Sequence, residues 1–178
     1  MTRSPHDAFA DALATYETER DVGLALHRLA EALVGVKLFT MTADNPSGGY
    51  VRRVYSSDEV AYPVLGTKPI VFDDTYEKMR TERFIYSANS VREMENDFPD
   101  LTLIRSLGCG SAINIPVVAG GEMLGSVNLL DVEGAYPAAK VEASLCLRIR
   151  RCLLPDPAQP LHHLNLRPRR QGADMPRL

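Results

Sequence analysis

Residues 106–136 read SLGCGSAINIPVVAGGEMLGSVNLLDVEGAY. Two apolar runs, residues 111–119 and 122–131, flank the pair Gly120-Gly121. A Gly-Gly pair between such runs predicts a tight β-hairpin, because both positions of the favoured two-residue turn need positive φ, which glycine takes without steric cost. Continuing the register of that turn pairs Ala119 with Glu122, Val117 with Leu124, Ile115 with Ser126 and Ile113 with Asn128. Alternation along the strands then puts Ile113, Ile115, Val117, Leu124, Ser126, Asn128 and Leu130 on one face. Ala112, Asn114, Pro116, Gly125, Val127 and Leu129 fall on the other. Both faces are largely apolar, so the hairpin is expected in the middle of a sheet with cover on each side. In this register Asn114 and Asn128 point to opposite faces and cannot share a site.

The elements around the hairpin follow from period and punctuation. Ser4-Pro5 is a plausible N-cap and first helical position for a short helix over residues 4–17. Val22, Ala25, Leu26, Leu29, Ala30 and Leu33 recur at helical spacing and predict a second helix ending near Gly35. His27 lies on its flank as a boundary histidine. Residues 37–43 (KLFTMTA) and 50–57 (YVRRVYSS) read as strands joined by the turn-forming run NPSGG. Arg53 on the second strand is expected to meet solvent or a surface carboxylate. Residues 62–69 read as loop, 73–81 as a weak helix, 84–88 as a short strand, and 91–97 and 101–107 as short helices, the first capped by Asn89-Ser90. Pro137 opens a predicted long helix to about Leu153, with Val141, Leu145, Ile149 and Cys152 on one stripe. Residues 154–178 are rich in Pro and Arg without periodicity, and are expected to be a mobile tail.

Composition narrows the functional classes. Hydrophobic residues make up 45% and charged residues 24% of the chain, ordinary values for one globular domain with modest extensions. A net charge of −3 argues against nucleic-acid binding by bulk electrostatics. No apolar run approaches a membrane span, and the first residues lack the apolar centre of an export signal. Three cysteines at spacings that make no metal site read as reduced thiols, so a cytoplasmic setting is expected. His162-His163 has no further ligands at useful spacing and reads as a solvated pair.

The run SLGCGSAINIPVV, a short turn, GEMLGSVNLL and then GAY resembles the last two strands of a GAF domain. RRVYSSDEVAYPVLGTKP (52–69) and FIYSANSVREMENDFPDLTLIRSLG (84–108) resemble the middle of free-standing bacterial GAF proteins. The resemblance spans roughly residues 20–153, leaving 1–19 as an N-terminal helical extension and 154–178 as the tail. It implies an α/β (α+β) fold: a central antiparallel sheet of five to six strands, N- and C-terminal helices on one face, and a helix-loop pocket cover on the other. It further implies a habit of binding small molecules, with a sensory or regulatory role exerted through a partner or through a homodimer. Carried over by position, the pocket would be lined by Phe39, Tyr55, Tyr76, Ile104, Cys109 and Ser111. The cofactor or ligand is left unknown by the sequence.

Two alternatives stand beside this reading. Cys109, set between Gly108 and Gly110, could be the nucleophile of a thiol-dependent redox enzyme, since free methionine-(R)-sulfoxide reductases share the fold. Their cysteine spacings are missing here, however, and no His or Lys neighbours Cys109 in sequence to depress its pKa. The chain could also be a structural dimerisation module with a closed pocket. The Cys-His context of tetrapyrrole-binding GAF domains and the NKxnFxxxDE pattern of cyclic-nucleotide-binding ones are both absent.

Overall fold

A computed structural model describes residues 3–148. Six strands form one antiparallel sheet in the order β3-β2-β1-β6-β5-β4. They are β1 (Leu38–Asn45), β2 (Tyr50–Ser56), β3 (Thr67–Pro69), β4 (Tyr86–Ala88), β5 (Ser111–Ala119) and β6 (Glu122–Asp131). The hairpin quoted above supplies β5 and β6, and β1 lies against β6, so the hairpin sits inside the sheet and not at its edge. The two edge strands, β3 and β4, are three residues each. The stretch around β3 was expected to be loop throughout; Thr67–Pro69 instead pairs with β2.

Helices α1 (Pro5–Ala14), α2 (Glu19–Leu33) and α6 (Ala138–Ser144) cover one face. The Ser4 side chain caps α1, and Thr18 and Asp21 close a reciprocal capping box on α2, so both helices start where side-chain oxygens can satisfy their free N–H groups. The α2 stripe meets Phe39, Ile113, Ile115, Val127 and Leu129 in a buried cluster to which Phe9 of α1 also belongs. On the opposite face, α3 (Asp74–Thr81), α4 (Val91–Met94) and α5 (Leu101–Ser106) form a roof over a second cluster. That cluster contains Leu38, Tyr62, Met79, Met94, Ile104, Cys109, Ala112 and Leu130. Among the described residues no helix is long and apolar enough to cross a membrane.

Two expectations are corrected. The last helix does not run on as one α-helix: α6 stops at Ser144, a 3-10 turn spans Leu145–Leu147, and Arg148 is extended. The turn swings Leu147 into the core and leaves Leu145 at the surface, breaking the stripe drawn through Val141 and Leu145. Ile149, Cys152, His162, His163 and the tail lie outside the described residues.

The second correction concerns the hairpin itself. Gly120 and Gly121 take φ of 61° and 91°, and Ala119 pairs with Glu122 as the turn demands. One step further along, Leu124 is an extra residue: Val118 pairs with Met123, but Val117 pairs with Gly125. This bulge shifts every later pair by one, so Ile115 meets Val127, Asn114 meets Asn128 and Ile113 meets Leu129. Its cause is local. Gly125 has φ 156°, and a Cβ there would sit 1.9 Å from the Thr42 carbonyl oxygen of β1. Only a residue without a side chain lets β1 and β6 close at this point. The bulge puts Val127 and Leu129 under the helices beside Ile113 and Ile115, and sends Asn128 to the roof side with Asn114.

Candidate ligand site

The corrected register lays a polar band across the roof-side face of the sheet. Tyr86, Asn114, Asn128, Thr40 and Ser56 stand in one row over five strands. Pro116, Ser126, Thr42 and Arg53 form the next. Small hydroxyl and amide side chains at the centre of a six-stranded sheet are costly unless they are bonded to one another or to a ligand. Most are bonded here. Thr42 Oγ1 and Ser126 Oγ lie 2.9 Å apart, Ser126 Oγ donates to Asn128 Oδ1 at 2.9 Å, and Asn128 Nδ2 donates to Thr40 Oγ1 at 3.3 Å.

Asn114 departs from the pattern, because its Oδ1 is buried and has no hydrogen-bond partner among the described residues. Tyr86, Thr40 and Ser56 are buried, but the cover over the rest of the band is incomplete. Thr42, Asn114, Ser126 and Asn128 all keep partial solvent exposure, whereas Ala112, Leu130 and Leu38 beside them are buried. This part of the sheet face is the polar floor of a candidate groove between apolar flanks.

Three roof-side tyrosines frame the groove, and each donates its hydroxyl to an aspartate. Tyr76 reaches Asp44 Oδ2 at 3.0 Å, Tyr62 reaches Asp100 Oδ2 at 2.7 Å, and Tyr86 reaches Asp97 Oδ2 at 3.0 Å. Burial and then the Asp44 charge push the Tyr76 phenol up to about 12. Burial raises the Asp44 carboxyl too, against the hydrogen bond from Tyr76 and the charge of Lys68. Burial followed by the aspartate bond raises Tyr62 and Tyr86 in the same sense. These phenols therefore stay protonated and act as donors at neutral pH.

Arg53, expected at the surface, lies on the roof side with its guanidinium 4.8 Å from the Tyr62 ring centroid. Its Nη1 donates to the Pro63 carbonyl at 3.2 Å, while its Nε is buried without a partner among the described residues. Burial lowers its affinity for the proton, and its electrostatic interactions with Tyr62 and with the Asp100 carboxylate oppose this.

The six residues carried over from the resemblance do not converge. Tyr76, Ile104 and Cys109 lie on the roof side, in or packed against the second cluster. Phe39 and Tyr55 belong to the helix-side cluster, where Phe39 stacks on His27 at 5.1 Å and Tyr55 bonds His27 Nδ1 at 3.1 Å. Ser111 is fully buried, its Oγ 2.8 Å from the Val132 carbonyl oxygen and 3.3 Å from that of Asp131. Phe39 and Tyr55 were carried over by position, and strand period alone separates the two faces without saying which one the helices take.

What sequence reasoning missed is the floor: Thr40, Thr42, Ser126 and the Asn114–Asn128 pair. The one signal that could have found it was Gly125 inside a strand, which marks a bulge or a close backbone approach. Among the described residues no group of three or more His, Cys, Asp or Glu side chains could hold a metal. Cys109 is 4% exposed, and burial pushes its thiol up, against a downward pull from Lys37.

A six-stranded antiparallel sheet with helices on one face and a helical roof on the other defines an α+β class. Within it, the solved structures that resemble the chain place it in the GAF fold. The chain is similar to the phycocyanobilin-bound GAF domain of a cyanobacterial phytochrome, with TM-score 0.60, 13% identity, and 85% of this chain and 93% of that one covered. It is similar to a GAF domain/HD domain protein from Geobacter sulfurreducens, with TM-score 0.60, 15% identity, and coverage of 78% and 93%. The GAF domain of a two-component sensor histidine kinase from Bacillus halodurans matches with TM-score 0.56, 12% identity, and coverage of 71% and 86%. No protein-family model matches the sequence, and no curated protein matches it.

Proposed function

We propose that the chain is a sensory or regulatory small-molecule-binding domain whose ligand lies in the groove between the sheet and the α3–α5 roof. The observation that carries this reading is the Asn114 Oδ1, a buried acceptor left open within an otherwise bonded polar row. A ligand that offers it an N–H or O–H donor would complete the row, with its apolar body against Met79, Met123 and the roof tyrosines. The solved neighbours support a sensory role, since one of them holds a bilin and another belongs to a sensor kinase.

The output would pass through a partner or a second copy of this chain. The apolar stripe of α2 is largely spent on the chain's own core, so self-association would draw on other surfaces. Sedimentation equilibrium of the full chain decides between monomer and dimer.

The enzymatic reading is weaker, because a buried thiol with a raised pKa is a poor nucleophile at neutral pH. Alkylation of native protein by iodoacetamide is expected to leave Cys109 slower than a free thiol. Faster reaction would revive it.

Native mass spectrometry of gently purified full-length chain tests the binding reading. A mass excess of small-molecule size, lost in an Asn114→Leu variant that still folds, is the expected result. A bare polypeptide mass, together with no thermal shift against a metabolite library, would count against an open groove.

A further inference from the structure

The helix-side face carries a cavity separate from the groove. It has a volume of about 490 Å³ and lies where α6 passes the β4 edge of the sheet. That volume is in the range of small-molecule sites. Ile85, Val141, Leu145 and the Tyr136 ring give it an apolar wall, and Ser87, Glu142 and Arg148 supply the polar groups. Tyr86 and Ala88 point into the roof-side cluster, so Ile85 and Ser87 necessarily face the other way.

Arg148 is incompletely satisfied. One terminal nitrogen donates to the Arg83 carbonyl, while Nε is buried without a partner among the described residues. Arg83 holds φ at 60°, a region that side-chain-bearing residues rarely occupy. Among the described residues no carboxylate lies in ion-pair range of Arg148 or Arg83, Glu142 included. Burial, and after it the like charge of Arg83, work against the Arg148 charge. Among the described residues, two neighbouring cations, one with an open N–H at the wall of this open pocket, lack a planar anion that accepts from a guanidinium edge. Glu142, exposed at the rim, disfavours a multiply charged ligand such as a phosphate dianion.

We propose that this cavity is a second ligand site, which takes a single carboxylate on an apolar body: the carboxylate on Arg148, the body against Ile85, Val141 and Leu145. It stands independently of the groove on the opposite face. The same chemistry comes from two sources, a simple aliphatic or aromatic acid, or an apolar amino acid whose ammonium faces Glu142.

Isothermal titration of the full-length chain with octanoate, octanol and L-leucine tests this. Octanoate is expected to bind at least about tenfold more tightly than octanol. Arg148→Gln is expected to erase that difference. Leu145→Trp, at a surface-exposed position, is expected to block binding by filling the cavity while the fold, checked by circular dichroism, stays intact. L-leucine binding more tightly than octanoate, with the advantage lost in Glu142→Gln, assigns the amino acid form; the reverse order assigns the simple acid. Equal affinity for octanoate and octanol, binding unchanged in Leu145→Trp, or no saturation by either acid would overturn the proposal. Loss of octanoate binding in Asn114→Leu would show that the acid occupies the groove instead, and would overturn it as well.

Discussion

Gly125 has no room for a side chain, and that single fact decides where the asparagines go. A methyl group 1.9 Å from the Thr42 carbonyl oxygen cannot be accommodated without parting β1 from β6. Gly125→Ala is expected to cost about 3 kcal/mol or more in denaturant unfolding, well above an ordinary surface change. Gly23 makes a similar point inside a helix. Glycine to alanine within a helix usually gains about 1 kcal/mol. Here the added carbon would lie 2.4 Å from the Tyr55 ring, so Gly23→Ala is expected to lower stability by about 1–3 kcal/mol instead.

His27, beside that ring, makes stability depend on pH. Burial holds its folded pKa below the ordinary 6.5, with Glu31 opposing and Arg28 reinforcing. Below 6.5 the unfolded chain therefore binds the proton more readily than the folded one. Stability is expected to rise with pH through the window beneath 6.5 and to flatten above it. His27→Gln should remove that slope, which urea midpoints measured across the window would reveal.

At the scale of elements, the bulge separates what was legible in the sequence from what was not. The Gly-Gly turn, both strands of the hairpin, the α2 stripe and its central place in the fold all follow from local chemistry, and the structure has them. The faces of β6 do not follow, because one extra residue inverts every side chain beyond it and the energy that fixes the inversion is a contact with β1, some 80 residues away in sequence. The roof residues were hard to place for the same reason: Arg53 is half-buried through Tyr62 and Pro63, neither of which helical or strand period could pair with it.

The bulge also leads to an expectation against intuition. Met123 and Ser126 share the roof side only because Leu124 is looped out, and Leu124 is 49% exposed. Deleting Leu124 should leave Gly125–Asp131 in register and cost no more than about 2 kcal/mol. Amide chemical shifts near Asn114 and Asn128 that stay close to those of the parent would bear this out.

Across the described residues the molecule is two apolar clusters separated by one sheet, and they are not equal. The helix-side cluster is held by the fifteen-residue α2, while the roof consists of helices of eight, four and six residues. Short helices contribute little stability of their own, so the roof is the part that opens first. Hydrogen exchange is expected to run fastest in residues 74–106 and slowest in β1, β5 and β6. Ligand in the groove should slow exchange in the roof more than in the sheet. Uniform protection across both layers would contradict this picture.

The edges of the sheet bear on how the protein behaves when concentrated. A long bare edge strand offers unpaired N–H and C=O groups on which another chain can build. Here the outer strands are stubs of three residues, and one of them reads Thr-Lys-Pro, a charge and a missing donor on the margin most open to attack. Fibril growth by strand addition is left chiefly Ile115–Ala119 of β5, which β4 does not cover and which Pro116 interrupts, and the protein should remain dispersed at concentrations at which a sheet with an unbroken long edge would precipitate.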